Sequence, residues 1–359
     1  MKSHVQSQGF SALVLSAPDG RWSAHHNTDS QAMTMNGVGA WVYALGGQYL
    51  GYKQATVQDI AQYDIVIANT NLSCLPDFIR LAESRPKHTQ WVMLIEGGAS
   101  DYILLNPHVQ RAIAVSDIVN CINRHTLSLF QELARLSGSS TTRVEYLGIP
   151  YPVEGIRNHR VSIDKRLQAS KKNLMLCPSL LTRSNDYVVA HALGEERSDI
   201  SYYGYERRLS RKLGNWREFW QHRSLNPLAR IQRAAELYSD PRLEIRPSSN
   251  LGDFFLQNAD AFFWLNLDPR FTWARYVLDA AALGIPIITT VSTGHGETLF
   301  PYTTLADEYQ LGTAIELGKR LLEDSAFYRS VTEYAEEYIT SFSSEQCVNR
   351  LLATLYDNG

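Results

Sequence analysis

The segment 258–290 reads NADAFFWLNLDPRFTWARYVLDAAALGIPIITT. Its apolar run at 261–265 predicts a buried strand, the stretch 274–283 predicts a helix, and the apolar run at 285–290 predicts the next strand. Apolar runs of this kind, separated by a helix, are typical of a parallel sheet that is covered on both faces. The segment therefore predicts a strand–helix–strand unit within an α/β fold.

The same alternation continues on both sides of this segment and predicts two sheets in series. Further strands are predicted at 11–17, 64–69, 91–95, 112–115, 144–147, 173–177, 200–203 and 243–245. Further helices are predicted at 36–46, 116–137, 184–193, 226–238, 305–323, 326–341 and 344–356. The polar, proline-containing stretch 148–172 is the candidate linker.

The chain is long enough for two hydrophobic cores, since it has 359 residues. We expect a first domain at 1–155, a second domain at 156–340, and a C-terminal helix at 341–359 that crosses back to the first domain. The net charge of -3 argues against a protein that coats nucleic acid by charge alone. The four cysteines are far apart, and the N-terminal apolar run is too short for a signal or membrane segment, so a cytoplasmic location is expected.

The start of the helix at 274–283 suits the binding of a diphosphate. The backbone N–H groups of Thr272, Trp273 and Ala274 fall in the first helical turn, where such groups have no partner within the helix. Arg275 follows and adds a cation. Asp279 lies one turn further on the same face and is a candidate to accept hydrogen bonds from ribose hydroxyls. A buried helix with an Arg–Asp surface pair is the alternative interpretation.

The segment 258–290 also resembles the donor-binding stretch of the large retaining GT-B glycosyltransferase family known as family four. In that family a strand is followed by a Glu-Gly-Phe-Gly loop, a helix with a second Glu, Gly-x-Pro and a strand. The sequence at 282–286, ALGIP, matches the last part, and Asp279 stands at the second Glu. The first Glu of the family falls on Phe271, which is a departure.

The resemblance implies further donor contacts in the second half of the chain. The stretch 173–193 resembles the first strand and helix of the family's donor domain, where an Arg and a Lys hold the diphosphate. Arg183 stands at the Lys position, whereas Pro178 stands at the Arg position. Gly204 and Tyr205 resemble the end of a strand that faces the nucleotide.

The resemblance implies a GT-B fold, in which two Rossmann-like domains face a central cleft. It also implies a nucleoside-diphosphate sugar as co-substrate, UDP-linked as in UDP-glucose. No permanently bound cofactor and no required metal are expected, and no Asp-x-Asp motif occurs in the sequence.

The chain is also similar in plan to the DNA beta-glucosyltransferases of T-even phages. The sequences SLLTR at 179–183, YYGYERR at 202–208 and RFTWARYVLD at 270–279 match in order and character. This resemblance implies duplex DNA as a partner and 5-hydroxymethylpyrimidine as the acceptor, with the target base taken out of the stack. A saccharide or a lipid-linked glycan is the alternative acceptor, and a non-catalytic binding module on a degenerate GT-B scaffold is the alternative to an enzyme.

Glu96 is the candidate general base, because it follows a predicted strand and precedes Gly97 and Gly98. The alternative is a carboxylate that caps a loop, and Asp101 is the second candidate for the base. His25 and His26 fall in a polar loop expected on the acceptor side, where a solvated loop is the alternative. No cluster of carboxylates accompanies this His pair, so it does not predict a metal site.

A stretch of cations and aromatic residues at 205–233 is the other candidate acceptor surface. It suits a phosphate backbone with splayed bases, or an anionic membrane or lipid diphosphate, or a solvated helix face. The cations proposed to contact the acceptor are Arg207, Arg208, Arg211 and Lys212.

Overall fold

The computed structural model describes residues 9–17, 21–23, 37–70, 74–95, 107–121, 124, 126–176, 185–206, 239–247, 251–267 and 275–356. Its strands are β1 (Ala12–Ser16), β2 (Arg21–Ser23), β3 (Gln48–Gly51), β4 (Ile65–Thr70), β5 (Gln90–Ile95), β6 (Ile118–Asn120), β7 (Arg143–Glu145), β8 (Lys172–Leu176), β9 (Ile200–Glu206), β10 (Leu243–Pro247), β11 (Phe263–Asn266), β12 (Ile287–Thr290) and β13 (Thr304–Leu305).

Its helices lie between these strands and after the last of them. They are α1 (Gly37–Leu45), α2 (Val57–Ile60), α3 (Leu75–Glu83), α4 (Pro107–Ala114), α5 (Leu127–Leu136), α6 (Val153–Arg157), α7 (Ile163–Gln168), α8 (Asp186–Glu196), α9 (Leu251–Gln257), α10 (Arg275–Leu283), α11 (Gly296–Leu299), α12 (Leu311–Glu323), α13 (Ser325–Tyr338) and α14 (Ser344–Tyr356), with short 3-10 turns at Val291–Thr293 and Ile339–Phe342.

The strands form two separate sheets. The first has the order β2-β3-β1-β4-β5-β6-β7 and the second has the order β10-β9-β8-β11-β12-β13. All pairings are parallel except that between β2 and β3. In each sheet the chain builds outward on one side of the first strand and then on the other. The predicted α/β class with two sheets in series is therefore confirmed, and each sheet has a switch point at which ligand crevices form.

Burial explains why the strands could be recognised as apolar runs. Every residue of β1 and β4 is buried, as is every residue of β11. Trp41, Trp91 and Trp264 are all completely buried. Strands that are covered on both faces lose the alternation of polar and apolar residues that half-exposed strands show.

The predicted strand at 112–115 is wrong, because these residues lie at the end of α4 and in the turn after it. Val109, Ala112 and Ile113 are buried in α4 at helical spacing, so the apolar run is one face of a short helix. The strand that the sheet contains here is β6 (Ile118–Asn120), which lies within the first residues of the predicted helix 116–137. That helix begins only at Leu127.

The connection between the sheets is fixed to the second sheet by a buried arginine. The side chain of Arg166 in α7 is only 2% exposed. Its guanidinium donates hydrogen bonds to the carbonyl of Ala259 at 3.0 Å, to that of Leu283 at 2.9 Å, and to that of Gly284. These bonds satisfy both terminal nitrogens of the guanidinium and offset much of the cost of burying the cation.

The C-terminal segment returns to the first half of the chain. The backbone N–H of Tyr151 donates to the carbonyl of Phe342 at 2.8 Å, and Arg350 donates to the carbonyl of Leu147 at 2.8 Å. Helix α14 then packs against α1, and the ring of Tyr356 stacks on Phe10 with centroids 4.7 Å apart. Across the described ranges, no helix has both the length and the apolar character that crossing a membrane requires.

Substitutions at two glycines measure how tightly the C-terminal return segment, residues 339–356, packs on the first half of the chain. Gly148 has φ +78°, and a Cβ there would lie 2.8 Å from the ring of Phe342. Gly138 has a similar φ of +75°, but a Cβ there would meet no atom within 4 Å. We expect Gly138→Ala to lower the free energy of unfolding by roughly 1–2 kcal/mol, the cost of the left-handed backbone. We expect Gly148→Ala to lower it by that amount plus about 1–3 kcal/mol for overpacking. Denaturant titration measures both, and equal losses would contradict the packing of Phe342 on Gly148.

Candidate functional site

Hydrogen-bonded polar side chains lie at the carboxyl ends of two adjacent strands of the second sheet, β11 and β12. The Asn266 side chain at the end of β11 donates to Thr289 Oγ1 at 3.2 Å, and Thr289 Oγ1 lies 2.8 Å from Thr293 Oγ1. The carboxylate of Asp186, at the start of α8, accepts from the N–H of Leu267 at 2.5 Å. These contacts lie at the carboxyl edge of the sheet, where open parallel sheets bind their ligands.

Arg275 is the first residue of α10, on the chain that leaves this edge after β11. It is half-buried, and its guanidinium carbon lies 5.5 Å from the centroid of the Tyr151 ring. The start of a helix carries partial positive charge. The helix start and the guanidinium together make this point of the edge suited to an anion.

Asp279 lies one turn further along α10 and is buried, with 1% of its surface exposed. Its Oδ1 accepts a hydrogen bond from the hydroxyl of Tyr151. Burial raises the pKa of Asp279 to about 7, against the opposing effects of Arg275 and of the Tyr151 hydroxyl. The residue predicted to bind ribose therefore lies inside the protein, in contact with the connection between the two sheets.

His295 joins the same region from the loop after β12. Its Nδ1 is hydrogen-bonded to the hydroxyl of Tyr146, which follows β7 of the first sheet, and its ring lies 4.8 Å from that of Phe342. Burial, together with the charges of Arg275 and Arg350, lowers the pKa of His295 to about 3. The imidazole is therefore neutral at physiological pH and adds a hydrogen-bonding group rather than a cation.

Sequence reasoning did not single out His295, although a signal was present. It stands between Gly294 and Gly296, five residues after the predicted strand 285–290. Gly294 has φ +78°, and a Cβ on Gly296 would lie 2.8 Å from the Thr289 side chain. A histidine held in so tight a turn at the carboxyl edge of a strand is a candidate site residue for that reason alone.

The structure places two more predicted donor residues on β9. Gly204 is buried within this strand, and Tyr205 pairs with Arg246 of β10 near the carboxyl end of both strands. The strand β5 ends at Ile95, directly before the predicted base. The other predicted site residues lie outside the described residues: Glu96, Asp101, Arg183, Thr272, Trp273, Ala274, His25, His26, Arg207, Arg208, Arg211 and Lys212.

Within the part of the chain that the structure describes, no group of three or more His, Cys, Asp and Glu side chains is arranged to hold a metal ion. The cysteines Cys74, Cys121 and Cys347 are buried there as free thiols.

Comparison with solved structures supports the fold over nearly the whole chain. No family model matches the sequence, and no curated protein matches it either. The structure is similar to an alpha,alpha-trehalose 6-phosphate synthase from Burkholderia multivorans, with a TM-score of 0.65, 8% identity and 96% of each chain covered. It is also similar to a structure described as trehalose-6-phosphate from E. coli bound with UDP-2-fluoro glucose, with a TM-score of 0.66, 10% identity, and 97% of this chain and 99% of that chain covered.

A third similar structure is Anabaena HepE in complex with UDP and glucose, with a TM-score of 0.62, 13% identity, and 96% of this chain and 99% of that chain covered. These structures share the arrangement of two Rossmann-like units that defines the GT-B fold. The predicted GT-B fold is therefore confirmed.

The raised pKa of Asp279 gives a pH-dependent stability with a defined sign. The folded protein holds this proton up to about pH 7, whereas an unfolded aspartate releases it near pH 4. The stabilisation that the protonated acid provides is therefore complete below about pH 4 and is lost as the pH rises to about 7.

We expect the wild type to lose stability relative to Asp279→Asn across this window, by at most about 4 kcal/mol, and to show no further change above it. Denaturant titrations at several pH values measure this difference. Asp164→Asn, which removes an exposed carboxylate from α7, controls for the loss of one acid. A constant difference between wild type and Asp279→Asn over the window would contradict the buried, protonated state.

Proposed function

We propose that this protein is a glycosyltransferase that moves a sugar from a nucleoside-diphosphate sugar to an acceptor hydroxyl. The donor in this proposal is UDP-linked. Support comes from the GT-B fold over the full chain and from the UDP and UDP-sugar analogue in two of the similar structures. The chain's own residues supply the rest of the argument.

The position of Arg275 carries the proposal. Arg275 begins the described part of α10, its guanidinium lies 5.5 Å from the Tyr151 ring, and its charge acts on His295. A departing nucleoside diphosphate gains negative charge, and a fixed cation at a helix start stabilises that charge most when water is excluded. Arg183 and the amides of 272–274 are proposed to add to this phosphate site.

Asp279 is proposed to act beneath the phosphates rather than on the ribose. It lies one turn below Arg275, and its charge interacts with that guanidinium. The hydroxyl of Tyr151 holds one carboxyl oxygen of Asp279. In this role Asp279 is a positioning residue that sets the orientation of Arg275, while Gly204 and Tyr205 are proposed to lie against the nucleotide.

The transfer itself needs a base for the acceptor. In an inverting reaction the Glu96 carboxylate takes the proton of the acceptor hydroxyl while that oxygen forms a bond to the anomeric carbon. The bond from the anomeric carbon to the phosphate oxygen breaks, and UDP leaves with its charge neutralised by the arginines. In a retaining reaction Glu96 has a different role.

Two acceptors are proposed from the sequence. One is 5-hydroxymethylpyrimidine in DNA, which would engage Arg207, Arg208, Arg211 and Lys212. The other is a saccharide or lipid-linked glycan. His25 and His26 are proposed to border either acceptor, and a non-catalytic binding module is the alternative to both.

We expect Arg275→Ala to weaken UDP binding by roughly 10- to 100-fold, since a hydrogen bond to a charged group contributes about 1.5–3 kcal/mol. Arg275→Lys should retain part of the affinity because it keeps the charge. Isothermal titration calorimetry with UDP measures both, and Arg135→Ala on the exposed face of α5 is the matched control. Unchanged UDP affinity in Arg275→Ala would remove the phosphate role.

We expect Glu96→Gln to reduce turnover by roughly 100- to 10,000-fold while UDP affinity stays the same, because only proton transfer is lost. The assay is UDP release and added hexose mass with a panel of UDP-sugars and acceptors, and Asp101→Asn tests the second candidate in parallel. Normal turnover in Glu96→Gln would refute the base assignment. A wild-type protein that neither hydrolyses nor transfers any donor in the panel would favour the binding module.

A further inference from the structure

Three tyrosines form a cluster on the surface of the second half of the molecule, here called the tyrosine platform: Tyr302, Tyr334 and Tyr338. The rings of Tyr334 and Tyr338 are stacked, with centroids 4.3 Å apart and planes at 19°. Tyr302 meets Tyr334 edge to face, with centroids 5.4 Å apart. Tyr302 is 51% exposed and Tyr338 is 41% exposed, so the cluster presents aromatic surface to solvent.

The platform is connected to the candidate site from two directions. Tyr302 follows α11, which begins directly after His295 and packs against α13. Tyr338 ends α13 and leads into the 3-10 turn whose Phe342 packs on His295. Tyr302 lies seven residues after His295 in the chain, and Tyr338 lies four residues before Phe342, which packs on His295.

Arg124, in the first half of the chain, interacts both with Tyr146 at the candidate site and with the platform. Its guanidinium carbon lies 5.8 Å from the centroid of the Tyr146 ring, and Tyr146 contacts His295. Burial and the neighbouring phenols raise the pKa of Tyr334, while the charge of Arg124 acts to lower it. Arg124 thus lies close enough to influence both the platform and the Tyr146–His295 pair.

The charges around the platform select among the acceptors. Glu333 and Glu337 of α13 are exposed next to Tyr334 and Tyr338 in sequence. Arg329, one turn earlier on α13, is paired with Asp164. The charge of Arg124 also acts on Tyr334, so the charges to be weighed are two exposed carboxylates of α13 and one cation. A net negative charge disfavours a polyanion such as DNA, and carboxylates accept hydrogen bonds from sugar hydroxyls.

The chemistry of the tyrosine ring faces also favours a saccharide. The face of an aromatic ring is electronegative, and it packs on flat apolar surfaces whose hydrogens are partly positive. The C–H face of a pyranose ring is such a surface, and its hydroxyls project outward to the rim of the contact. Stacked, partly exposed phenols on a helix that also carries exposed carboxylates match this pattern.

We propose that the tyrosine platform is a binding subsite for a neutral saccharide. Its place in a transfer reaction rests on the proposed function, and it makes a glycan the acceptor rather than DNA. The binding itself requires no donor, so it is tested separately from the glycosyltransferase activity.

The test is saturation-transfer NMR on the full chain with maltotriose, cellotriose and chitotriose as probes. We expect at least one trisaccharide to bind. In the double variant Tyr302→Ala/Tyr338→Ala we expect its affinity to fall by about 3- to 10-fold or more, the effect of losing aromatic contacts. Tyr309→Ala is the matched control, since this tyrosine is 77% exposed and lies outside the platform. UDP affinity in the double variant reports whether the fold and donor site remain intact.

Three results would overturn the proposal: no trisaccharide binds the wild type, the double variant binds as well as the wild type, or hydroxymethylated duplex DNA binds and is lost in the double variant. Failure of the proposed function has a different signature. In that case UDP does not bind and no hexose is transferred, while the platform still binds a trisaccharide.

Discussion

A carboxyl group inside a protein must be paired or protonated, and Asp279 satisfies this constraint through the Tyr151 hydroxyl. Tyr151 belongs to the connection between the two sheets, and its backbone is bound to Phe342 of the return segment. The contact between Asp279 and Tyr151 lies one helical turn along α10 from Arg275. One buried acid therefore links the connection, the return segment and the helix that begins at the candidate site.

The electrostatic character of the candidate site follows from this arrangement. Asp279 has a pKa of about 7 and His295 has a pKa of about 3, so at neutral pH the acid is only partly charged and the imidazole is uncharged. Arg350 is committed to the carbonyls of Leu147 and Ser341. Arg275 then supplies the positive charge that the proposed diphosphate site needs, since its buried neighbours add little charge of their own.

The sequence and the structure favour different candidate sites for the acceptor. The stretch 205–233 is rich in cations, and it favours a polyanionic acceptor. The tyrosine platform lies on a helix that also carries the exposed Glu333 and Glu337, and it favours a neutral acceptor. The two proposals are therefore chemically distinct rather than variants of one.

Sequence patterns were enough to predict the α/β class, the two sheets and most of their strands, because strands buried on both faces appear as apolar runs. The sequence placed Arg275 in the helix that follows β11 from local spacing alone. It failed at 112–115, where the apolar face of the short helix α4 has the same composition as a buried strand. Only the tertiary structure could show that Tyr146 meets His295 across 149 residues, or that Tyr302 joins Tyr334. Such contacts depend on the path of the whole chain, whereas periodicity reports only what neighbouring residues share.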